Sequence, residues 1–159
     1  MISLSSIFLS VNENSNVAFF IEEFIHQCSH NVFNAITADV REYLLVEPGT
    51  HLSSLVPGKP NQAEVRDVFG AYHGVYTVST GVASILPMVL SGKLDEELQL
   101  ELLGRLAIKK PRFRTGIERV DFDKTFTKKG KELYDFLDTR CYEQIQQHPN
   151  IFGVYNFAN

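Results

Sequence analysis

Apolar positions recur at helical spacing along most of the chain. Val17, Phe20, Phe24, Val32 and Phe33 fall near one face, and no Gly or Pro interrupts them. This predicts a long helix from Val17 to about Thr37. Ahead of it, Ile2 to Val11 alternates loosely with β-branched and aromatic residues and reads as a strand. The run Asn12-Glu13-Asn14-Ser15-Asn16 ends the strand and offers helix caps. Asp39 to Pro60 carries Pro48-Gly49, Pro57-Gly58 and Pro60 and reads as a loop, with room for a short strand at Tyr43 to Val46.

Asn61-Gln62-Ala63-Glu64 has the form of a capping box. It predicts a second helix from Gln62 to about Ile85, kinked or ended by Pro87. Gly70 and Gly74 lie four apart on its face, which would let another element approach closely. A third helix is expected from Asp95 to Lys109, acidic at its start and basic at its end, and stopped by Lys110-Pro111. Arg112 to Arg119 can add a short helical piece. Thr127 to Gln147 reads as a final long helix buried through Leu133, Phe136, Leu137 and Ile145. Ile151 to Phe157 reads as a strand or packed extension. The expected class is mainly α with minor β, an α+β chain with a helical core around a paired-helix metal site.

Composition narrows the function classes. A chain of 159 residues is sized for one domain over 1–159. Its 44% hydrophobic content excludes a disordered chain. A formal charge of −4 argues against a dedicated nucleic-acid binder. No uninterrupted apolar run reaches the roughly 18 residues of a membrane span, and the N-terminus does not read as a signal peptide. Cys28 and Cys141 form no CxxC pair and read as reduced thiols of a cytoplasmic protein, Cys28 in the core. A metal, if bound, must therefore be held by histidine and carboxylate.

The candidate chemistry lies in His26-Gln27-Cys28-Ser29-His30. An i, i+4 pair turns both imidazoles to one side of a helix, the arrangement by which one helix gives two ligands to a metal. Apolar residues flank the pair, so the rings need partners if buried. His73, among Gly70, Ala71 and Gly74, is a third candidate. Arg66 lies seven residues earlier and could grip a carboxylate with both arms. The plainer alternative is a set of core histidines and a surface arginine. Glu22 and Glu23 fall near the histidine face and could supply a carboxylate ligand, or form a solvated acidic edge near the helix start. Lys109 to Arg114 could hold an acidic peptide or a phosphate, or be a solvated helix end. His51 and His148 stand in loop-like contexts, and Cys141 has no base at useful spacing.

The segments Phe20 to His30 and Arg66-Asp67-Val68-Phe69-Gly70-Ala71-Tyr72-His73-Gly74 together resemble the HExxH-type peptide-modification proteins. These are 2-oxoglutarate-dependent peptide β-hydroxylases of ribosomal peptide natural-product biosynthesis. Phe126-Thr127-Lys128-Lys129-Gly130 resembles their late LTxxG-like segment. The resemblance covers roughly residues 17 to 140. It implies His26, His30 and His73 as ligands to Fe(II), with zinc an alternative occupant. It implies Arg66 as the catalytic group that binds the 2-oxoglutarate cosubstrate, and aromatics such as Tyr76 lining the pocket. Gln27 stands in the catalytic position of the family's glutamate. An amide cannot take a proton, so zinc-peptidase chemistry is not expected, whereas an iron oxygenase does not need that base. The chain is short for the family and is expected to be a reduced form.

The expected function is hydroxylation of a peptide or peptide-like small molecule in the cytoplasm, without nucleic acid or membrane, in a homodimer or a biosynthetic complex. Two alternatives stand beside it. One is a non-catalytic metal- or ligand-binding member of the same family. The other is a metal-free helical interaction protein that uses the glycine face.

Overall fold

The computed structural model describes residues 9, 11–13, 15–57, 66–113 and 116–153. These form helices α1 (Val17–Ile36), α2 (Leu52–Leu55), α3 (Val68–Leu90), α4 (Glu96–Arg112), α5 (Phe122–Thr125), α6 (Lys128–Gln147) and α7 (Pro149–Phe152). Short 3₁₀ turns sit at Val40–Glu42 and Ile117–Arg119. The chain is mainly helical. The expected strand over Ile2 to Val11 and the capping box at Asn61 to Glu64 lie largely or wholly outside the described residues.

The long helices begin where a side chain captures a free N–H group. Asn16 accepts from the Phe19 amide, Asp95 from Leu98 and Thr127 from Gly130. The second long helix starts at Val68 rather than near Gln62. Residues 66 and 67 are held in extended pairing with the chain around His51. The Leu52 amide donates to the Arg66 carbonyl at 3.0 Å and the Val68 amide to Thr50 at 2.9 Å. Asp67 then caps the helix through the Gly70 amide at 2.6 Å. Tertiary pairing thus sets a boundary that local preference placed earlier.

The strand expected at Tyr43 to Val46 is reduced to one antiparallel bridge, Leu44 with Phe126. Pro87 does not end α3, which runs on to Leu90. Burial of Ile85, Leu86 and Val89 around it outweighs the hydrogen bond that proline cannot make. Pro111 likewise falls inside the last turn of α4, which reaches Arg112.

Helix α3 is the centre of the fold, packed against α1, α4 and α6. It is buried on most of its circumference, from Val68 through Tyr72, Val75 and Val82 to Val89. By length and composition α3 could also cross a membrane, which the shorter apolar runs of the sequence did not suggest. In this fold it is the core helix.

Two close approaches shape the packing, at glycines other than Gly70 and Gly74. A Cβ on Gly130 would stand 2.1 Å from the Tyr43 carbonyl oxygen, so only glycine lets the start of α6 meet the bridge strand. A Cβ on Gly81 would stand 2.9 Å from Cε of Lys109, whose stem crosses α3 there. At Gly74 a Cβ would meet nothing within 4 Å, and at Gly70 only the side chain of its own cap, Asp67. The expected close approach at Gly70 and Gly74 is therefore corrected: α1 passes without using that space.

Several burial expectations also change. On α6 the inward positions are Gly130, Tyr134, Leu137, Cys141 and Ile145, while Phe136 faces solvent. On α1, Phe33 is fully buried, but Val17, Phe20, Phe24 and Val32 are exposed. Cys28 is half-buried at the rim of a depression rather than in the core.

Candidate three-histidine site and its charged cleft

Helices α1 and α3 bring three imidazoles together. His30 Nε2 lies 2.9 Å from His26 Nε2, and His30 Nδ1 lies 2.7 Å from His73 Nε2. The i, i+4 spacing on α1 stacks His26 and His30 edge to face, with ring centroids 4.4 Å apart. His73 enters from α3 and lies flat on Phe33, with centroids 4.5 Å apart and planes 14° from parallel. Phe33, one turn beyond His30, also packs against Phe69, Tyr72 and Tyr76, so an aromatic cluster fixes the third ring.

The nitrogens stand in a chain, with His30 in the middle. Each contact needs one N–H and one lone pair, and neutral rings supply them with His30 donating to one neighbour and accepting from the other. Burial lowers the His73 pKa to about 4, aided by the neighbouring charges His30 and His26 would carry. Burial first, and then His26, also lowers that of His30, with Glu23 opposing. Both rings are neutral at pH 7, the form that binds metals.

Three imidazoles are a donor set that suits iron, zinc and similar ions. Among the described residues, however, no three His, Cys, Asp or Glu side chains are grouped to hold a metal ion. His30 turns a different nitrogen to each neighbour, and the two nitrogens point away from each other. The donor types fit a metal; shared coordination requires the His30 ring to turn.

A cavity of about 260 Å³ opens beside His26. Glu22, Glu23 and His26 line it from α1, Thr77 and Val78 from α3, and Arg105, Ile108, Lys109 and Arg112 from α4. Glu22 is its hub. It accepts from Arg105 Nη1 at 2.6 Å and from Lys109 Nζ, tying α1 to α4. Burial pushes the Glu22 carboxyl up, but the hydrogen bonds and charges of Lys109 and Arg105 outweigh it and hold the group below its ordinary range. Arg105 also holds Glu101 at 2.7 Å.

The other expected site residues lie apart from this cleft. Arg66 is exposed, one residue ahead of the α3 cap, in the extended pairing described above. The Gln27 amide donates to Glu23 at 2.7 Å on its own helix. Tyr76 packs on Phe33 and borders a separate apolar depression of about 170 Å³ with Phe24, Cys28 and Val32. Phe126 to Gly130 has a structural role: Thr127 caps α6 and Gly130 permits its contact with Tyr43. On α4, Arg105 is the residue that sequence reasoning missed, whereas Lys109 and Arg112 belong to the basic cluster already singled out, which the structure places beside the histidines. Arg105, Lys109 and Arg112 recur at i, i+4 and i+7, a spacing visible in the sequence, but their helix had no evident tie to the histidines.

Comparison of the chain with family models, with curated proteins and with solved structures gives no match.

Proposed function

We propose that the chain is a metal-binding protein of oxygenase type, with His26, His30 and His73 as ligands to Fe(II). It would use 2-oxoglutarate as cosubstrate and hydroxylate a peptide or peptide-like small molecule in the cytoplasm. The observation that supports this reading is the meeting of three imidazoles from two helices, at 2.7 and 2.9 Å. Bound iron supplies the redox chemistry with O₂.

The chain's own residues do the rest. Phe33 holds the plane of His73. Glu22, fixed by Arg105 and Lys109, keeps α1 and α4 together beside His26. Gln27 offers no basic group, which agrees with oxygenase rather than hydrolytic chemistry. Arg66 remains the resemblance's candidate for the cosubstrate carboxylate; the cations that border the histidine cleft are Arg105, Lys109 and Arg112.

The test is metal content and visible absorption after anaerobic reconstitution with Fe(II), with and without 2-oxoglutarate. One equivalent of iron and a charge-transfer band that needs 2-oxoglutarate are expected, and His73→Ala should abolish the band. Iron binding that survives loss of His26 and His30 together overturns the site. Iron binding with no band and no O₂ uptake would favour a non-catalytic metal-binding member.

A second reading, a metal-free helical interaction protein, is favoured by one observation. Phe20, Phe24, Val32 and Ile36 recur along the exposed side of α1. Absence of metal uptake, with stability unchanged by chelator, would select it.

A further inference from the structure

We propose that the cleft between α1, α3 and α4 binds a small dianion, of dicarboxylate or phosphate chemistry, through Lys109 and Arg112 with Arg105 behind them. The inference goes beyond the metal reading and does not depend on it, since none of these cations is a candidate ligand to the metal.

Size comes first. The cavity, about 260 Å³, lies just below the roughly 300–1,000 Å³ typical of ligand pockets. It suits a molecule of a few heavy atoms and excludes a folded peptide. Its wall is dominated by ionisable groups, so an apolar occupant would desolvate charges without replacing their partners.

The sign follows from the donors. Arg105, Lys109 and Arg112 line one side of α4 over about 10 Å of helix. Against them in the lining stand Glu22 and Glu23, and outside it Glu101 pairs with Arg105. Glu22 already accepts from Arg105 and Lys109, and Glu23 from Gln27. A carboxylate brings acceptors only, whereas an ammonium brings three donors and a guanidinium five. Lys109 therefore keeps donors after serving Glu22, and the demand left in the cleft is for an acceptor with negative charge.

Position comes from the backbone. The stem of Lys109 lies across Gly81, where a Cβ would come within 2.9 Å of Cε. That glycine lets the ammonium reach the cleft instead of turning to solvent. The dipole of α4 favours cations in its last turn in general. It does not account for the gap beneath Lys109 or for the ion pairs across to α1.

The experiment is an amide-resolved NMR titration of the whole chain, treated with chelator, using succinate and inorganic phosphate as probes and acetate at matched ionic strength as control. Saturable shifts at Thr77, Val78 and Ile108 at millimolar probe are expected, with acetate weaker. Arg112→Glu lies at an exposed position and should leave the fold intact while loosening binding about tenfold or more. Lys109→Met should act similarly where it folds, and Gly81→Ala should weaken binding by displacing Lys109. A preference for succinate assigns a carboxylate ligand, a preference for phosphate assigns a phosphate ligand, and either supports the site. No saturation by either probe, saturation unchanged in Arg112→Glu, or shifts scattered over exposed lysines overturns it. Because metal is removed throughout, failure here leaves the iron test untouched, and failure of the iron test leaves this one standing.

Discussion

Helix α3 meets α6 on one flank and α1 on another, and the two contacts are built differently. Toward α6, Tyr72 and Ser79 are buried and give their hydroxyls to the main-chain carbonyls of Gly130, at 2.9 Å, and Leu137, at 3.2 Å. Toward α1, His73 is half-buried and its hydrogen-bond partner is another titratable ring, His30. The α6 contact ties side chains to backbone, and its hydrogen bonds do not change with pH near neutrality; burial pushes the Tyr72 phenol further up from its already high range. The α1 contact depends on which nitrogen holds a proton. A structural seam and a chemically responsive seam thus share one helix.

Five predictions break or sharpen that contrast. Phe33→Ala removes the fully buried ring beneath His73 and is expected to cost about 4 kcal/mol in urea unfolding. A cost under about 1 kcal/mol would show that the aromatic cluster does not hold the α1 seam.

On the α6 flank, Gly130→Ala forces a Cβ against the Tyr43 carbonyl and is expected to cost about 3 kcal/mol. Its loss of stability should be the same at pH 7 and pH 5, since the clash is between a Cβ and a main-chain carbonyl. A pH-dependent loss would contradict the division between the seams.

Glu22→Gln keeps the shape of the α1–α4 tie but removes its charge. With the side chain 23% exposed, the expected cost is about 1–2 kcal/mol, between the surface and buried limits. The wild-type pH profile follows first from the contact of α1 with α3. The folded pKa of His73, about 4, lies below the ordinary 6.5, so the unfolded chain binds protons first as pH falls. Metal-free protein should lose stability from about pH 6.5 toward 4. Glu22, also depressed, adds a loss as pH falls below its ordinary 4.5. Urea midpoints that stay level between pH 7 and 4 would rule out this arrangement.

The smallest expected effect has the opposite sign. Gly74→Ala adds a Cβ in open space within a helix and should stabilise by up to about 1 kcal/mol. Destabilisation would mean that α1 approaches α3 more closely than described.

Much of the helical framework was legible before the structure. The limits of α1, the Asp95 cap and the Thr127 cap follow from local chemistry that the sequence states directly. The start of α3 did not, because main-chain pairing with Thr50 and Leu52 overrides the local signal. Phe136 reads as buried from its apolar character yet faces solvent, because hydrophobicity marks a candidate for burial without naming its partner. The i, i+4 histidines could be placed on one face from spacing, and His73 suggested as their partner. Which nitrogens meet, and that α4 closes the cleft, depend on helix crossings that no local pattern encodes. The glycines teach the same lesson: the Gly70 and Gly74 spacing invited a contact, whereas Gly81 and Gly130 make one.

The bridge between Leu44 and Phe126, sealed by Gly130 under Tyr43, joins parts of the chain far apart in sequence. Contacts of such separation close late, since the intervening loop must first lose its freedom. During synthesis α1, α3 and α4 emerge well before α6. The flank of α3 around Tyr72 and Ser79 then waits uncovered until the last long helix leaves the ribosome. A nascent chain stalled before Phe126 should therefore be sticky and protease-sensitive, and emergence of α6 should be the event that makes the fold cooperative.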